Sequence, residues 1–142
     1  MPSFTTAVAD LVVQGPLVQL LVGPSKSFIQ SVGAQNVATP QPILALVDTG
    51  ASGTVLTPAV IQQLGVQPVS AVLVHTPSTI TAVHCNQYQV NIYFPQGVTV
   101  EDVLAIEAPM GGQNIQCLIG RDILRHGVLV YIGYANQFTI SF

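Results

Sequence analysis

The sequence predicts an all-β fold, a sandwich or small closed barrel with one or two short helices. Two observations predict it. Short runs rich in Val, Ile, Leu and Thr recur roughly every ten residues, and Gly and Pro, 12 and 10 in number, punctuate the gaps between them. Long amphipathic stretches of helical period, which would signal alternating strands and helices, do not separate these runs. At 142 residues the chain can bury one real core but cannot build two ordinary lobes, so a single domain over residues 1–142 is expected.

The elements follow in order. Ala7 to Val13 and Leu17 to Val22 read as early strands. Ser25 to Val32, ending at Gly33, is a short helix candidate, and Ala34 to Pro42, with its prolines, reads as a connecting loop. Ile43 to Val47 is a continuous apolar strand, and Thr54 to Leu56 is another short one. Thr57 can cap the next helix, Pro58 fits its first turn because a missing N–H costs nothing there, and Gly65 suits a left-handed exit. Strands are expected at Val69 to His75, Thr79 to Val83, Tyr88 to Phe94, Thr99 to Ala105 and Gln116 to Ile119. A helix at Asp122 to His126 carries its acid at the start and its bases at the end, with Gly127 just beyond, which matches the helix dipole. Val128 to Ile132 and Phe138 to Phe142 close the chain as strands.

Composition narrows the function classes. Only 6% of residues are charged, against about a quarter in ordinary domains, so uncharged polar groups, fourteen glutamines among them, must carry most of the solvation. Three basic residues cannot neutralise a row of phosphates, so neither nucleic acid nor an anionic membrane is an expected partner. So little like-charge repulsion favours self-association instead. The longest apolar runs, Ile43 to Val47 and Val128 to Ile132, are far too short to span a bilayer. The first residues lack the basic start and apolar block of a secretory signal, so a cytoplasmic location is expected. Cys85 and Cys117 have no C-x-x-C spacing and read as buried reduced thiols in preference to a disulfide.

The segment Ile43-Leu-Ala-Leu-Val47-Asp48-Thr49-Gly50-Ala51-Ser52-Gly53-Thr54-Val55-Leu56 carries the chemistry. An apolar strand runs into an acid, then a tight turn of small residues, then another apolar strand. A carboxylate at such a strand end, beside the interior, is where desolvation and a neighbouring acid perturb ionisation. Gly50 lets a ligand approach the backbone, and the Thr49 hydroxyl can tie the turn to a neighbour.

A hydrophobic strand followed by Asp48-Thr49-Gly50-Ala51 resembles the signature of the retropepsin-like aspartic proteases, and in particular of bacterial single-domain members. Downstream, Cys117-Leu118-Ile119-Gly120-Arg121-Asp122-Ile123-Leu124 is similar to that family's apolar pair, glycine and short C-terminal helix. Asn136 to Phe142 is similar to the closing strand such proteases use in assembly. The resemblance spans Ile43 to Phe142; residues 1–42 match only as plausible early strands. It implies a closed β-barrel of the acid protease fold, an aspartic-type endopeptidase activity, and peptide or protein substrates. Asp48 would be catalytic, Thr49 and Gly50 would support the dyad, and Ala51 and Ser52 would border the binding cleft. The hairpin Ala71 to Val83, with His75, Thr76, Pro77 and Ser78 at its tip, would be the flap over the substrate.

Peptide hydrolysis by water needs one carboxylate to take the water's proton and a second, protonated, to polarise the carbonyl. The chain holds no second Asp-Thr-Gly or Asp-Ser-Gly, so the reading requires a homodimer with one Asp48 from each copy. Such a pair titrates as a unit, and activity ends when both carboxylates ionise. Viral members often place an acid after Asp-Thr-Gly-Ala to pair with the downstream arginine; here that place is Ser52, so Arg121 needs another partner. Asp122 reads as pairing with Arg125 or capping its own helix.

Other readings of the same residues are weaker. His75, His84, His126 and the cysteines lack zinc-like spacing, so neither metal nor cofactor is expected. Gly50 to Gly53 falls one residue short of G-x-S-x-G, and Gly111-Gly112 has no phosphate-loop frame. The scattered tyrosines and phenylalanines read as core or rim packing. The functional alternative is a retropepsin-like module without catalysis, serving binding or assembly, with Asp48 merely hydrogen-bonded at an interface.

Overall fold

The computed structural model describes residues 1–75 and 81–142. Ten strands and four short helices follow in the order β1 (Ser3–Ala7), α1 (Leu11–Gln14), β2 (Leu17–Pro24), α2 (Lys26–Val32), β3 (Gln41–Val47), β4 (Val55–Leu56), α3 (Pro58–Leu64), β5 (Ser70–Val74), β6 (Val83–Tyr93), β7 (Thr99–Glu107), β8 (Cys117–Ile119), α4 (Arg121–Leu124), β9 (Val128–Ile132) and β10 (Gln137–Ser141) among the described residues. The all-β expectation holds. Strands β2, β3, β8, β4, β7 and β6 pair in that order, and β2 returns to β6 from Leu21↔Tyr93 to Pro24↔Val90, which closes a barrel.

The barrel interior follows from side-chain alternation. On β3, Ile43, Ala45 and Val47 point inward and are buried while their neighbours are not. β8 enters between β3 and β4, parallel to the first (Ala45↔Cys117 to Val47↔Ile119) and antiparallel to the second (Val55↔Leu118). That insertion brings the residues after β8 beside the turn that joins β3 to β4. Opposite buried Asn91 of β6, β7 carries an extra residue, with Glu101 and Asp102 both lying between the pairs Val90↔Val103 and Ile92↔Val100, and Asn91 Oδ1 accepts the Asp102 N–H at 3.0 Å, so the buried amide is satisfied.

A second, three-stranded sheet runs in the order β1–β10–β9. Its inner face buries Phe4, Phe138 and Ile140 against the barrel, with Phe4 stacked on Phe94 at 5.1 Å between centroids. The closing strand β10 is therefore central, paired on both edges by its own chain.

Three helices form near their expected places, although α4 ends at Leu124 and not at His126. The Ser25 hydroxyl accepts the Phe28 N–H at the start of α2, Gly65 ends α3 with φ of 65°, and α4 begins one residue before the expected Asp122. Thr57 occupies the cap position of α3, but its hydroxyl makes no capping bond. No helix among the described residues is long and apolar enough to cross a membrane.

Two expectations are corrected. The strand expected over Ala7 to Val13 ends at Ala7, and Leu11–Gln14 is helical instead. Asp10 Oδ1 accepts the Val12 and Val13 N–H groups, a local cap that outweighs the β preference of the two valines. A break expected between strands Thr79 to Val83 and Tyr88 to Phe94 is absent from 83 onward, because β6 runs unbroken from Val83 to Tyr93. Beyond the barrel it pairs with β5 as a two-stranded wing whose residues are largely exposed on both faces, so polar His84, Asn86 and Gln87 continue the strand without apolar alternation. Thr79 and Ile80 lie outside the described residues.

Both cysteines are free, Cys85 half-buried and Cys117 fully buried. Burial, with a smaller contribution from the Asp122 charge, pushes the Cys117 thiol well above its usual 9.0. The folded protein therefore holds this proton more tightly than the unfolded chain does, and the resulting stability is present below 9.0 and lost as pH rises past it. Urea unfolding at rising alkaline pH is expected to show a steeper stability loss for the parent protein than for Cys117→Ala. Equal slopes would refute it.

Candidate active site

Asp48 directly follows β3, at the point where the barrel wall gives way to a turn. Its N–H donates to the Ile119 carbonyl of β8 at 2.9 Å, so the backbone is still tied to the sheet while the half-buried side chain leaves it. Its Oδ1 accepts the Gly50 N–H at 2.8 Å, and its carbonyl accepts the Ala51 N–H at 3.2 Å. These bonds fold the turn back on the carboxylate and orient it. Oδ2 accepts no hydrogen bond among the described residues. A Cβ at Gly50 would sit 3.0 Å from Oδ1, so a side chain there would crowd the acid. Thr49, Gly50 and Ser52 are exposed, and Ala51 is half-buried.

The second half of the site comes from the segment after β8. The Gly120 N–H donates to Thr54 Oγ1 at 3.2 Å, and the same hydroxyl donates to Asp122 Oδ1 at 2.8 Å. The Arg121 N–H donates to the Ala51 carbonyl at 2.9 Å, and its guanidinium donates to the Thr49 carbonyl at 2.7 Å. Two distant segments are thus bolted together by four bonds. Gly120 is buried so tightly that a Cβ would lie 2.5 Å from the carbonyl carbon and oxygen of Gly53.

Sequence reasoning missed Thr54, which it treated only as a strand start. No local signal marks a partner 66 to 68 residues away. Asp122 is corrected as well: it takes the Thr54 hydroxyl, and Gly120 holds the cap position of α4 without a side-chain cap. The arginine left without an acid at Ser52 finds a neutral acceptor, the Thr49 carbonyl.

Thr54 is fully buried, so its hydroxyl bonds are made away from water. Thr54→Val keeps the shape but strands the Gly120 N–H and the Asp122 carboxylate. A loss of about 1–3 kcal/mol in chemical denaturation is expected, and an unchanged midpoint would refute the role given to this hydroxyl.

His75 is exposed just after β5, and Thr76, Pro77 and Ser78 lie outside the described residues. The hairpin arms beneath them pair from Ser70↔Gln87 to Val74↔Val83. Among the described residues no three His, Cys, Asp or Glu side chains gather as a metal site. A cavity of about 360 Å³ lies between β1, β2 and Pro95, away from Asp48, which stands instead on an open turn.

Comparison with known proteins follows the same lines. The aspartyl protease family profile matches residues 34–123, which contain the Asp48 turn, α3, the β5–β6 hairpin and the Gly120 segment. The fold is similar to a retropepsin-like aspartic protease from Rickettsia conorii, with a TM-score of 0.57 at 13% identity over 98% of this chain and 90% of that one. It is also similar to the retroviral protease-like domain of Ddi1 from Leishmania major, with a TM-score of 0.50 at 13% identity over 89% of each chain. No curated protein matches the chain in sequence. With an acid-bearing turn locked against the strand threaded beside it in a closed barrel, and a profile match over more than half its length, the chain belongs to the aspartyl protease family and has the retropepsin-like fold.

Proposed function

We propose that two copies of this chain form a homodimeric aspartic endopeptidase, each contributing Asp48 to one catalytic dyad and requiring no cofactor. The observation that carries this reading is the open, oriented carboxylate: Oδ1 is held by the Gly50 N–H, while the flanking Thr49, Gly50 and Ser52 are exposed to a partner or substrate. Burial of these residues against a second copy would build a cleft around both acids.

In the dimer the two carboxylates share one proton, since like charges so close cannot both ionise. The ionised Asp48 takes a proton from a water held between them as that water attacks the scissile carbonyl. The protonated Asp48 donates to the carbonyl oxygen. Collapse of the tetrahedral intermediate breaks the C–N bond, and a proton passes to the leaving amine. Thr49 braces its counterpart across the twofold axis, Gly50 lines the substrate backbone, Ala51 and Ser52 border the cleft, and residues 75–78 cover it. Supporting this assembly, the strand edge of β9 is unpaired among the described residues and carries exposed Val128, Val130 and Tyr131, on a chain with few charges to oppose contact.

The test is dilution. Cleavage of an extended apolar peptide at mildly acidic pH should lose activity per protomer as protein is diluted through the dimer dissociation constant measured by sedimentation. Activity strictly proportional to concentration where sedimentation shows only monomer would overturn the proposal.

A further inference from the structure

Arg121 is the first residue of α4, where the helix dipole favours an acid and opposes a cation. The residue is exposed and no carboxylate pairs with it among the described residues, so neither burial nor an ion pair explains its placement. What it touches is the turn: the guanidinium holds the Thr49 carbonyl at 2.7 Å while the main-chain N–H holds the Ala51 carbonyl at 2.9 Å. The two residues so gripped flank Gly50, whose N–H orients Asp48 Oδ1. Ser52 supplies no carboxylate that could draw the guanidinium away.

We infer that Arg121 is a positioning residue that sets the direction of the Gly50 N–H, and through it the Asp48 carboxylate, by tethering the Thr49 carbonyl. This rests on the proposed endopeptidase reading for its kinetic consequence but not for its structural one. With the carbonyl released, the Thr49–Gly50 peptide can rotate and the N–H bond to Oδ1 loosens. Since misplacement of reacting groups by about 1 Å costs up to roughly a hundredfold in rate, the effect belongs in kcat. Arg121 is exposed and the backbone bond of its N–H to Ala51 survives substitution, so global stability is expected to be spared.

The experiment compares Arg121→Gln and Arg121→Lys with the parent chain. For Arg121→Gln we expect a kcat loss of about tenfold or more with KM held within about twofold. Arg121→Lys, which keeps the charge and one donor, should recover part of it. Amide hydrogen exchange at Gly50 and Ala51 should accelerate in Arg121→Gln while the urea midpoint and the dimer dissociation constant stay unchanged. Unchanged exchange at both amides would overturn the inference, as would activity fully restored by raising the protein concentration, because the arginine would then act on assembly alone. If the parent chain cleaves no peptide, the endopeptidase reading fails, and the exchange comparison still decides the tether.

Discussion

Asp48→Asn is expected to abolish peptide cleavage and to leave a folded dimer, the largest effect that the proposed endopeptidase reading predicts. Asparagine has nearly the same shape, and its Oδ1 can still accept the Gly50 N–H that now binds the carboxylate at 2.8 Å. The Asp48 N–H bond to Ile119 belongs to the backbone and is untouched. The turn therefore keeps its geometry. On the proposed reading, what disappears is the group that exchanges a proton with water and carbonyl, and because both copies would carry the change, neither acid nor base would survive. General acid–base contributions of this kind reach about 10² to 10⁴ in rate, so cleavage should fall by about a thousandfold or more. Mixing the variant with the parent chain in equal amounts and allowing subunits to exchange adds a sharper check. Random pairing leaves only about a quarter of the dimers with two intact Asp48 residues, and activity should follow that fraction. A peptide digest with parent-level activity in Asp48→Asn would end the assignment, and in that case Asp48 would be read as an interface hydrogen-bonding group in a non-catalytic module.

Gly120→Ala is expected to be nearly as damaging, for a steric reason. A Cβ at this position lies 2.5 Å from the Gly53 carbonyl carbon and oxygen, and backbone atoms cannot swing aside as a side-chain tip can. Relief must come from separating the two segments, which breaks the Gly120 N–H bond to Thr54 and loosens the Arg121 contacts with Thr49 and Ala51. Overpacking of this sort costs about 1–3 kcal/mol and occasionally more, and under the proposed function displacement of the Asp48 turn adds a loss of up to roughly a hundredfold in rate. Urea denaturation should show a lowered midpoint with an unchanged slope, alongside the lost activity. A midpoint equal to that of the parent chain would show that the approach of the two glycines is not required.

The elements that read correctly from sequence share a property: their reasons are local. β9 spans Val128–Ile132 as its uninterrupted apolar run implies, and α3 carries Pro58 at its start and left-handed Gly65 at its end. β3 delivers Asp48 because an apolar strand meets an acid and small residues in a row. Where local signals compete, reading falters. Leu11, Val12 and Val13 look like strand residues, yet Asp10 bonding to two N–H groups turns them into a helix, with only Leu11 buried.

Chain order and chemistry alone thus settled the β class, the family likeness and the acid-bearing turn, since periodicity, caps and reactive groups are properties of neighbouring residues. The three-dimensional arrangement alone decided that β8 slips between β3 and β4, that Thr54 bridges Gly120 and Asp122, and that Arg121 grips the Thr49 carbonyl. These contacts join residues far apart in the chain. Their partners are set by which polar groups the closing barrel brings within reach of one another.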